Sequence, residues 1–287
     1  MSITIAANIA SLSAQRRLGQ ATQGVETALS RLSSGQRINT AADDAAGLAI
    51  ADSLKNQTRL ANAAVRNANY GVSAIAVADS GLDAITGVLT RMAELAEQSA
   101  NGVYSLGQRS PLQAEFAALA SEIERIAITT KFNKVNLLSN GSNIVVQVGF
   151  KSFSTSQITI AGVRGTLQSL ALAPSGSSAL TYSINGATTA AAQVAARTAL
   201  AMITQAIDAV GTARGTLGAA ESRLSTAINN LEVAKENFAS AEGRIRDADI
   251  AGETANLLRY NIVQQSAAAV LAQANQQPQL ALKLLAN

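Results

Sequence analysis

Residues 14–32 read AQRRLGQATQGVETALSRL. Apolar side chains recur in this stretch at steps of four, three, four, three and four residues: Ala14, Leu18, Ala21, Val25, Ala28 and Leu32. That alternation places all six on one seam of a supercoiled helix. Because an isolated helix would expose the seam to water, the pattern predicts packing against another helix, in the same chain or in a neighbouring one.

The carboxyl-terminal third repeats this rhythm. Its apolar residues recur at the same three- and four-residue steps: Leu224, Ala227, Leu231, Ala234, Phe238, Ala241 and Ile245. Proline-free stretches at about 45–99 and 190–241 carry similar patterns, and the first would form a rod of roughly 80 Å. We expect these two stretches to pack side by side. Asp79 interrupts the apolar pattern of the first, and we expect a register shift to turn it to solvent.

A third helical stretch follows a loop at residues 101–107. Ser110 predicts an N-cap, with Pro111 at the first helical position and Gln113 completing a capping box. The helix should run to about residue 129 and fold back antiparallel along the 45–99 stretch. Further along the chain, glycines between Gly211 and Gly218 predict a close helix crossing or a local kink.

The middle of the chain changes to a period of two. Residues 144–148, 157–160 and 180–184 have strand-like patterns, separated by glycines. The predicted fold class is therefore mainly α, a long antiparallel helical coiled-coil bundle with paired terminal helices and a small β-hairpin region in the middle. We expect three parts: 1–42 plus 243–287 as a terminal coiled coil, 43–139 plus 190–242 as a long helical bundle, and 140–189 as a small β-rich segment.

Composition argues against most site chemistry. The chain has no Cys and no His, which removes thiol chemistry, the commonest general base and the commonest metal ligands. Asp43 and Asp44 are adjacent on a predicted helix start, so their carboxylates point about 100° apart and do not form a dyad; capping or interface use is the better interpretation. We expect no catalytic, cofactor or metal site, and no enzyme.

Charge and hydropathy limit the partners. The net charge is only +3 and the basic residues are scattered, so no nucleic-acid partner is indicated. The amino terminus lacks the pattern of a cleaved secretory signal, and the segment after Arg16-Arg17 is too polar for a twin-arginine signal. No stretch looks long and apolar enough to span a bilayer, so no membrane insertion is expected. These features alone favour the cytoplasm.

Two stretches resemble a known family. The run RLSSGQRINTAADDAAGLAI at 31–50 resembles the amino-terminal signature of bacterial flagellins. Asn237, the RIRD run at 244–247, Asp249 and LAQANQQPQ at 271–279 resemble the family's carboxyl-terminal pattern. The resemblance covers roughly 1–140 and 195–287. One departure is Gly243, where flagellins usually carry Ser, and a glycine there predicts a joint between two helical segments.

The resemblance implies a structural subunit that polymerises into the flagellar filament for swimming motility. Such a subunit leaves the cell unfolded through the flagellar channel by type III export without a cleaved signal, and acts outside the cell. Roughly 50 residues in the middle are too few for large outer domains, so a minimal flagellin is expected. The family signatures imply these subunit-interface residues: Arg31, Arg37, Asn39, Asp43, Asp44, Gly47, Arg244, Arg246, Asp247, Asn275, Gln276, Pro278 and Gln279.

The family also implies partners beyond further copies of the chain. They are an export chaperone, the filament cap and the hook–filament junction proteins. Arg91, Leu95 and Glu115 resemble positions that form longitudinal contacts and meet the vertebrate Toll-like flagellin receptor. The expected chaperone surface is a carboxyl-terminal apolar stripe: Leu257, Leu258, Ile262, Leu271, Leu282, Leu284 and Leu285.

Three other interpretations remain open at this stage. A hook–filament junction protein shares flagellin-like ends and similar length. An enzymatic flagellin would carry a catalytic insertion, although the missing histidines remove its metalloprotease version. A generic coiled-coil scaffold inside the cell is the third.

Overall fold

The computed structural model describes residues 8–150 and 153–285, with side chains of the last helix described as far as residue 276. Its described part is mainly α, as predicted, with short hairpins in the middle. The helices are α1 (Ile9–Ser34), α2 (Ala45–Ala100), α3 (Leu106–Thr129), α4 (Thr189–Arg246) and α5 (Ile250–Leu285). The strands are β1 (Lys131–Phe132), β2 (Val135–Asn136), β3 (Ile144–Gln147) and β4 (Gln157–Ile160).

The chain divides into two compact units. The terminal unit comprises Met1–Thr58 and Glu236–Asn287, and the central unit comprises Arg59–Lys235. Both units draw residues from α2 and α4, because each of these helices runs through a unit boundary.

In the terminal unit, α1 packs along α5, which confirms the predicted partner of the amino-terminal seam. Ala14, Ala21 and Ala28 of that seam are buried, and Ala267 and Ala274 are buried on α5. These five side chains are methyl groups, so the pair has a close but thin apolar interface. Little apolar area is covered per helix.

The core of the central unit is built by α2, α3 and α4 together. Its cluster contains Leu82 and Leu89 of α2, Phe116 of α3, and Ile203 and Val210 of α4. Both flanking helices run antiparallel to α2. For α3, Arg91 lies beside Glu115 and the later residue Ser99 lies beside the earlier residue Arg109. For α4, Asp79 lies beside Arg214 and the earlier residue Gly71 lies beside the later residue Leu224. The side-by-side packing expected from the sequence is confirmed.

The start of α3 differs from the prediction. Ser105, not Ser110, is the N-cap: its hydroxyl accepts from the Gln108 amide, and the Gln108 side chain accepts from the Ser105 amide. The pattern Ser-x-x-Gln occurs twice here, at 105–108 and 110–113, and the earlier copy closes the capping box. Pro111 consequently lies inside the helix, where it has no amide proton to give.

The middle segment is partly as predicted. β3 and β4 pair antiparallel, with Ile144 opposite Ile160. Residues 180–184 were predicted to form a strand, which is wrong. This segment is held by side chains instead, because the Ile184 amide donates to Gln113 Oε1 (2.7 Å) and the Ile184 carbonyl accepts from Ser99 Oγ (2.5 Å).

The β1–β2 hairpin was not predicted. Its strands are only two residues long and are joined by Asn133 and Lys134, both with positive φ (47° and 67°). Two such residues make the tight turn whose twist matches a right-handed hairpin. A strand this short leaves no period-two pattern to detect.

Two predictions about glycines in α4 were also wrong. Gly243 does not mark a joint, since α4 continues to Arg246 and the chain leaves the helix only at 247–249. The glycines at Gly211, Gly215 and Gly218 face open space, so they mark no close crossing with any part of the chain that the structure describes. A methyl group added at any of the three would meet no described atom within 4 Å outside its own stretch of α4.

The prediction that Asp79 turns to solvent is right only in part, since its side chain is 41% exposed, and the prediction that no stretch is long and apolar enough to span a bilayer was wrong. Asp79 does not simply face solvent, because both its carboxylate oxygens accept from Arg214 on α4, at 2.7 and 3.1 Å. Separately, α2 contains a stretch that by length and composition alone is apolar enough to cross a membrane. Its residues Leu82, Ile85 and Leu89 are fully buried in the central core, which accounts for that apolar character.

Candidate assembly site

The two stretches singled out in the sequence meet at one place in the terminal unit. Gly35 ends α1 with a positive φ of 68°, a conformation that glycine adopts without steric cost. Its carbonyl accepts from the Ala248 amide (3.0 Å), and the Arg37 amide donates to the Arg246 carbonyl (2.7 Å). Gln36 and Asp247 thus form an antiparallel bridge. We call residues 35–37 and 246–248 the junction.

Arginines surround the junction. Arg31 Nη1 lies 3.0 Å from Glu253 Oε1 of α5, and Arg37 Nη2 donates to the Ile245 carbonyl (2.7 Å). Arg246 Nη1 lies 3.4 Å from Asp52. The guanidinium groups therefore join α1 to α5, the segment after α1 to α4, and α4 to α2. Arg244 is exposed.

Asp43 and Asp44 serve two separate turns. Asp43 Oδ2 accepts from the Thr40 amide (2.9 Å), the Asn39 amide (3.1 Å) and the Thr40 hydroxyl (3.0 Å). These bonds, that of the Thr40 amide first, hold the pKa of Asp43 below its ordinary value. Asp44 Oδ1 instead accepts from the Gly47 amide (2.8 Å) at the start of α2. The two carboxylates organise backbone and do not converge as a dyad.

Gly47 and Asn39 complete this turn. A methyl group on Gly47 would collide with the Asp44 carboxylate and with Ile38, so only glycine leaves room for both. Asn39 Nδ2 donates back to the Ser30 carbonyl on α1 (3.2 Å). The 31–50 signature is thus a set of residues that fix the course of the chain between α1 and α2.

Polar contacts run along the α1–α5 pair. Asn8 Nδ2 donates to the Ala274 carbonyl (2.8 Å), and Ser11 Oγ donates to Asn275 Oδ1 (2.9 Å). Gln276 is exposed. The remaining signature residues of this stretch, Pro278 and Gln279, have side chains outside the described residues.

The predicted apolar stripe of α5 is divided between two faces. Leu257 and Leu271 are half-buried, whereas Leu258 and Ile262 are 59% and 64% exposed. The single stripe was wrong because leucines one position apart point about 100° away from each other on a helix. Leu282, Leu284 and Leu285 have side chains outside the described residues. Large apolar side chains also remain exposed elsewhere on this pair: Ile9, Leu12, Leu29, Ile250, Val263 and Val270.

Only two of the three predicted receptor positions lie on the surface. Arg91 Nε lies 2.9 Å from Glu115 Oε1, and Arg91 Nη1 lies 2.9 Å from Glu94 Oε2. The hydrogen bonds with Glu94 and then Glu115 raise the pKa of Arg91. Leu95 is 0% exposed and belongs to the central core, so its predicted place among surface contacts was wrong. Its spacing from Leu89 and Met92 is that of the buried seam.

The sequence did not predict the buried arginine of the central unit, Arg109. Arg109 is 0% exposed and forms no ion pair with any carboxylate that the structure describes. Its guanidinium donates to three backbone carbonyls, those of Ser99 (3.0 Å), Asn101 (2.8 Å) and Thr189 (3.4 Å). Two of these belong to the carboxyl end of α2, where the helix dipole favours a cation. Arg109 lies in the polar first turn of α3, and this sequence context does not predict that an arginine is buried.

The described residues contain no group of three or more His, Cys, Asp or Glu side chains placed to hold a metal ion. The features that stand out are instead the junction and the uncovered apolar faces of α1 and α5. Together with the long antiparallel helices, they define a helical structural protein that can cover its terminal faces by associating with other copies.

Comparisons with known proteins give the family. Residues 5–143 match the bacterial flagellin N-terminal helical region, and residues 200–285 match the bacterial flagellin C-terminal helical region. A flagellin of Halalkalibacterium halodurans is 39% identical over 97% of this chain and 98% of that protein. The flagellar filament 33 kDa core protein of Treponema phagedenis is 37% identical over the same shares. The chain belongs to the bacterial flagellin family.

Among solved structures, the crystal structure of Bacillus cereus flagellin is similar to 58% of this chain and 88% of that chain. The TM-score is 0.48 at 25% identity.

Proposed function

We propose that this chain is the repeating structural subunit of a bacterial flagellar filament, polymerising with other copies outside the cell to serve motility. The uncovered apolar face of the terminal pair carries the proposal, with Leu258 and Ile262 more than half exposed on α5. Family membership supports it, because the matched regions are the two flagellin helical regions. A filament built from many copies would cover these faces.

The thin α1–α5 interface supports coupling between assembly and folding. Its buried side chains are alanines, which contribute little burial free energy compared with the cost of ordering two long helices. Segments 1–42 and 243–287 should therefore be frayed in the free subunit and become ordered as neighbouring copies cover them. Such coupling would discourage polymerisation before export.

The experiment is negative-stain electron microscopy of the purified full-length chain with short filament seeds in concentrated salt. Long helical filaments are the expected result. A soluble folded chain that never elongates would reject the proposal and favour a hook–filament junction protein or a scaffold. Surface labelling of intact cells separates these two, because only an exported protein is labelled.

The three parts expected from the sequence receive separate roles. We propose that 1–42 with 243–287 forms the inner core of the filament and that 43–139 with 190–242 surrounds it. The β-rich segment 140–189 stands where larger flagellins carry outer domains. Among the signature residues, Arg31 acts beside the junction, whereas Asn39 and Asp44 fix the turn between α1 and α2. Arg244 and Arg37 are exposed and are the candidates for direct contact between copies, with Arg37 also donating to the Ile245 carbonyl.

Export without a cleaved signal, through the flagellar channel, is part of the same proposal. The exposed Leu258 and Ile262 suit a chaperone that covers apolar helix before export, and the filament cap and junction proteins are the expected neighbours at the filament ends. A double Leu258→Ser/Ile262→Ser variant should be exported less than wild type. Equal amounts in the culture medium would reject this chaperone surface.

Arg91 and Glu115 form the exposed pair that we propose as a longitudinal contact and as the contact with the vertebrate Toll-like flagellin receptor. Arg91→Ala and Glu115→Ala should each reduce activation of receptor-bearing reporter cells. Arg125→Ala is the matched control, because Arg125 is a similarly exposed arginine paired with Glu122 on α3. If all three variants activate the reporter cells equally, the receptor does not contact this surface.

Membership of a structural family also leaves the enzymatic flagellin as a testable rival. A peptide-hydrolysis assay of assembled filaments is the measurement, and no cleavage above buffer is expected.

A further inference from the structure

Charge is distributed unevenly along the terminal unit. Residues 1–25 and 254–287 contain four basic residues and no acidic residue. The remainder of the unit, residues 26–58 and 236–253, contains nine acidic and five basic residues. We call these parts the basic end and the acidic end. The net charge of the whole unit hides this separation.

The basic residues gather at a groove. Arg16 and Arg17 of α1, with Arg259 of α5, line a groove of about 450 Å³ between the two helices. The Arg259 guanidinium lies 5.2 Å from the centre of the Tyr260 ring, which orients it. Arg16 and Arg17 are exposed and have no hydrogen bond or ion pair with any residue that the structure describes. The groove thus presents guanidinium groups without anions.

The acidic end has unpaired carboxylates as well as basic residues such as the exposed Arg244. Glu253 is used by Arg31 and Asp43 by its own turn. Glu236 and Glu242, on the last three turns of α4, accept no hydrogen bond and form no ion pair within the described part of the chain. Glu236 is exposed. Each end therefore offers charges that the other would neutralise.

The groove and the Glu236–Glu242 surface, which lies on α4 just before the junction, are too far apart to neutralise each other within one copy. Arg16 and the junction residue Gln36 are separated by 20 positions, mostly helical, which is roughly 30 Å. Charges separated by more than about 8–10 Å are largely screened at physiological salt. Both ends also expose apolar side chains, Leu12 and Val263 at the basic end and Leu29 and Ile250 at the acidic end. Each end suits a partner of opposite charge with apolar side chains.

We propose that the Arg16–Arg17–Arg259 groove of one copy receives the Glu236–Glu242 surface of a second copy displaced along the helix axis. This proposal rests on the proposed function and adds to it the residues that set the direction of stacking. The contact joins two different surfaces, so it propagates head to tail rather than closing a dimer. Opposite charges fix its register and polarity more than its strength.

The chain's own acidic end favours a second copy over a lipid or nucleic-acid partner. A polyanion at the groove would be repelled by the nine acidic residues of the same unit as it extended along the helices. It would also leave Leu12 and Val263 facing polar groups.

The test measures seeded elongation of the full-length chain at low and high salt. The double variant Arg16→Glu/Arg17→Glu should raise the critical concentration for elongation on the order of tenfold at low salt, and much less at 1 M salt. The matched control is Arg59→Glu/Arg66→Glu, which reverses two exposed arginines of the central unit. The control should elongate like wild type.

Mixing supplies the decisive result. Glu236→Arg/Glu242→Arg should also elongate poorly alone, and an equal mixture of the two variants should elongate like wild type, because every contact in an alternating polymer is again between opposite charges. A mixture no better than its components would overturn the proposal. Circular dichroism confirms that each variant remains helical.

Two further outcomes separate the alternatives. If wild type fails to elongate on seeds, the proposed function itself fails. If wild type and Arg16→Glu/Arg17→Glu elongate equally at low salt, only the stacking contact is overturned. Binding of wild type but not the variant to anionic lipid vesicles, with elongation unchanged, would assign the groove to a membrane surface instead.

Discussion

Three arginines of this chain have different kinds of partner. Arg214 lies beside Asp79 and Asp83, and its hydrogen bonds, those to Asp79 foremost, raise its pKa. Arg31 pairs with a single carboxylate, Glu253, across the terminal pair. Arg109 donates to backbone carbonyl oxygens. Substitution should therefore have a different effect at each of the three.

Asp43 should titrate below its ordinary pKa. Because its folded pKa is lowered by the Thr40 and Asn39 amides, its charged form stabilises the turn above the unfolded pKa, and this contribution is lost as pH falls through the folded pKa. Side-chain carbon shifts followed by NMR against pH measure the value directly. A midpoint at or above that of a free aspartate would contradict these hydrogen bonds.

The same turn offers a substitution. Asp43→Ala should lower the free energy of unfolding at neutral pH. The variant and wild type should have equal free energies of unfolding in acid, where the wild-type carboxylate is protonated. Urea unfolding at the two pH values is the measurement, with Asp208→Ala for comparison, because Asp208 is an exposed aspartate of α4 whose side chain pairs with no described residue.

Arg109→Met should destabilise the central unit by about 3 kcal/mol, because three buried carbonyl groups lose their donors while the packing volume is roughly kept. Urea unfolding of the full chain measures this. Arg223→Met, at an exposed arginine of α4, is the control and should change stability by less than about 0.5 kcal/mol. Equal effects would contradict the burial of Arg109.

At the scale of the elements, two glycines of α1 make a matched pair. A methyl group on Gly24 would lie 2.7 Å from the Tyr260 ring, whereas one on Gly19 would meet nothing within 4 Å. Gly19→Ala should therefore stabilise the α1–α5 pair by up to about 1 kcal/mol through helix propensity. Gly24→Ala should weaken it despite the same propensity gain. The temperature at which filaments depolymerise, followed by light scattering, measures both.

Removing the ring tests the cause. In a Tyr260→Ala background, Gly24→Ala should become neutral or stabilising. If it still weakens the filament, the close approach of Tyr260 is not the reason.

Helix positions could be predicted from the sequence because seams such as 14–32 and 224–245 repeat over several heptads. Three- and four-residue steps identify the face that is covered, and the burial of Ala14, Ala21 and Ala28 follows. Short features could not be predicted in this way. The α3 cap had two equivalent candidates in the sequence, Ser105 with Gln108 and Ser110 with Gln113, and only the structure shows that the first one closes.

The site was less predictable than the fold. The 31–50 and 244–249 stretches could be singled out, but their meeting at the junction depends on backbone hydrogen bonds between residues more than 200 positions apart. Leu95 resembled a surface contact in its sequence neighbourhood, while its position on the α2 seam buries it. The pairing of Asp79 with Arg214 depends on the register of α2 against α4, which neither helix encodes alone.

At the scale of the whole molecule, the two units differ in how their side chains pack. The central unit has large side chains in a continuous core, and the terminal unit has a seam of alanines. The central unit should therefore fold without neighbouring copies, while the terminal unit depends on them.

Removal of residues 280–287 tests this division. The truncated chain should form no filaments, because the truncation shortens α5, whose uncovered face other copies must bury. Its central unit should unfold in urea as in wild type. Removal of Asn287 alone is the control. Normal filaments from the longer truncation would contradict a role for the carboxyl-terminal helix in assembly.

The carbonyl cage around Arg109 has a consequence for the behaviour of the protein in salt. The guanidinium of Arg109 is buried and donates to backbone carbonyl oxygens, so dissolved ions do not compete for it. Arg214 is paired with Asp79 and Asp83 through partly exposed side chains, where salt screens the attraction. High salt should thus weaken the contact between α2 and α4 near Arg214, while the loop end near residues 99–109 stays closed.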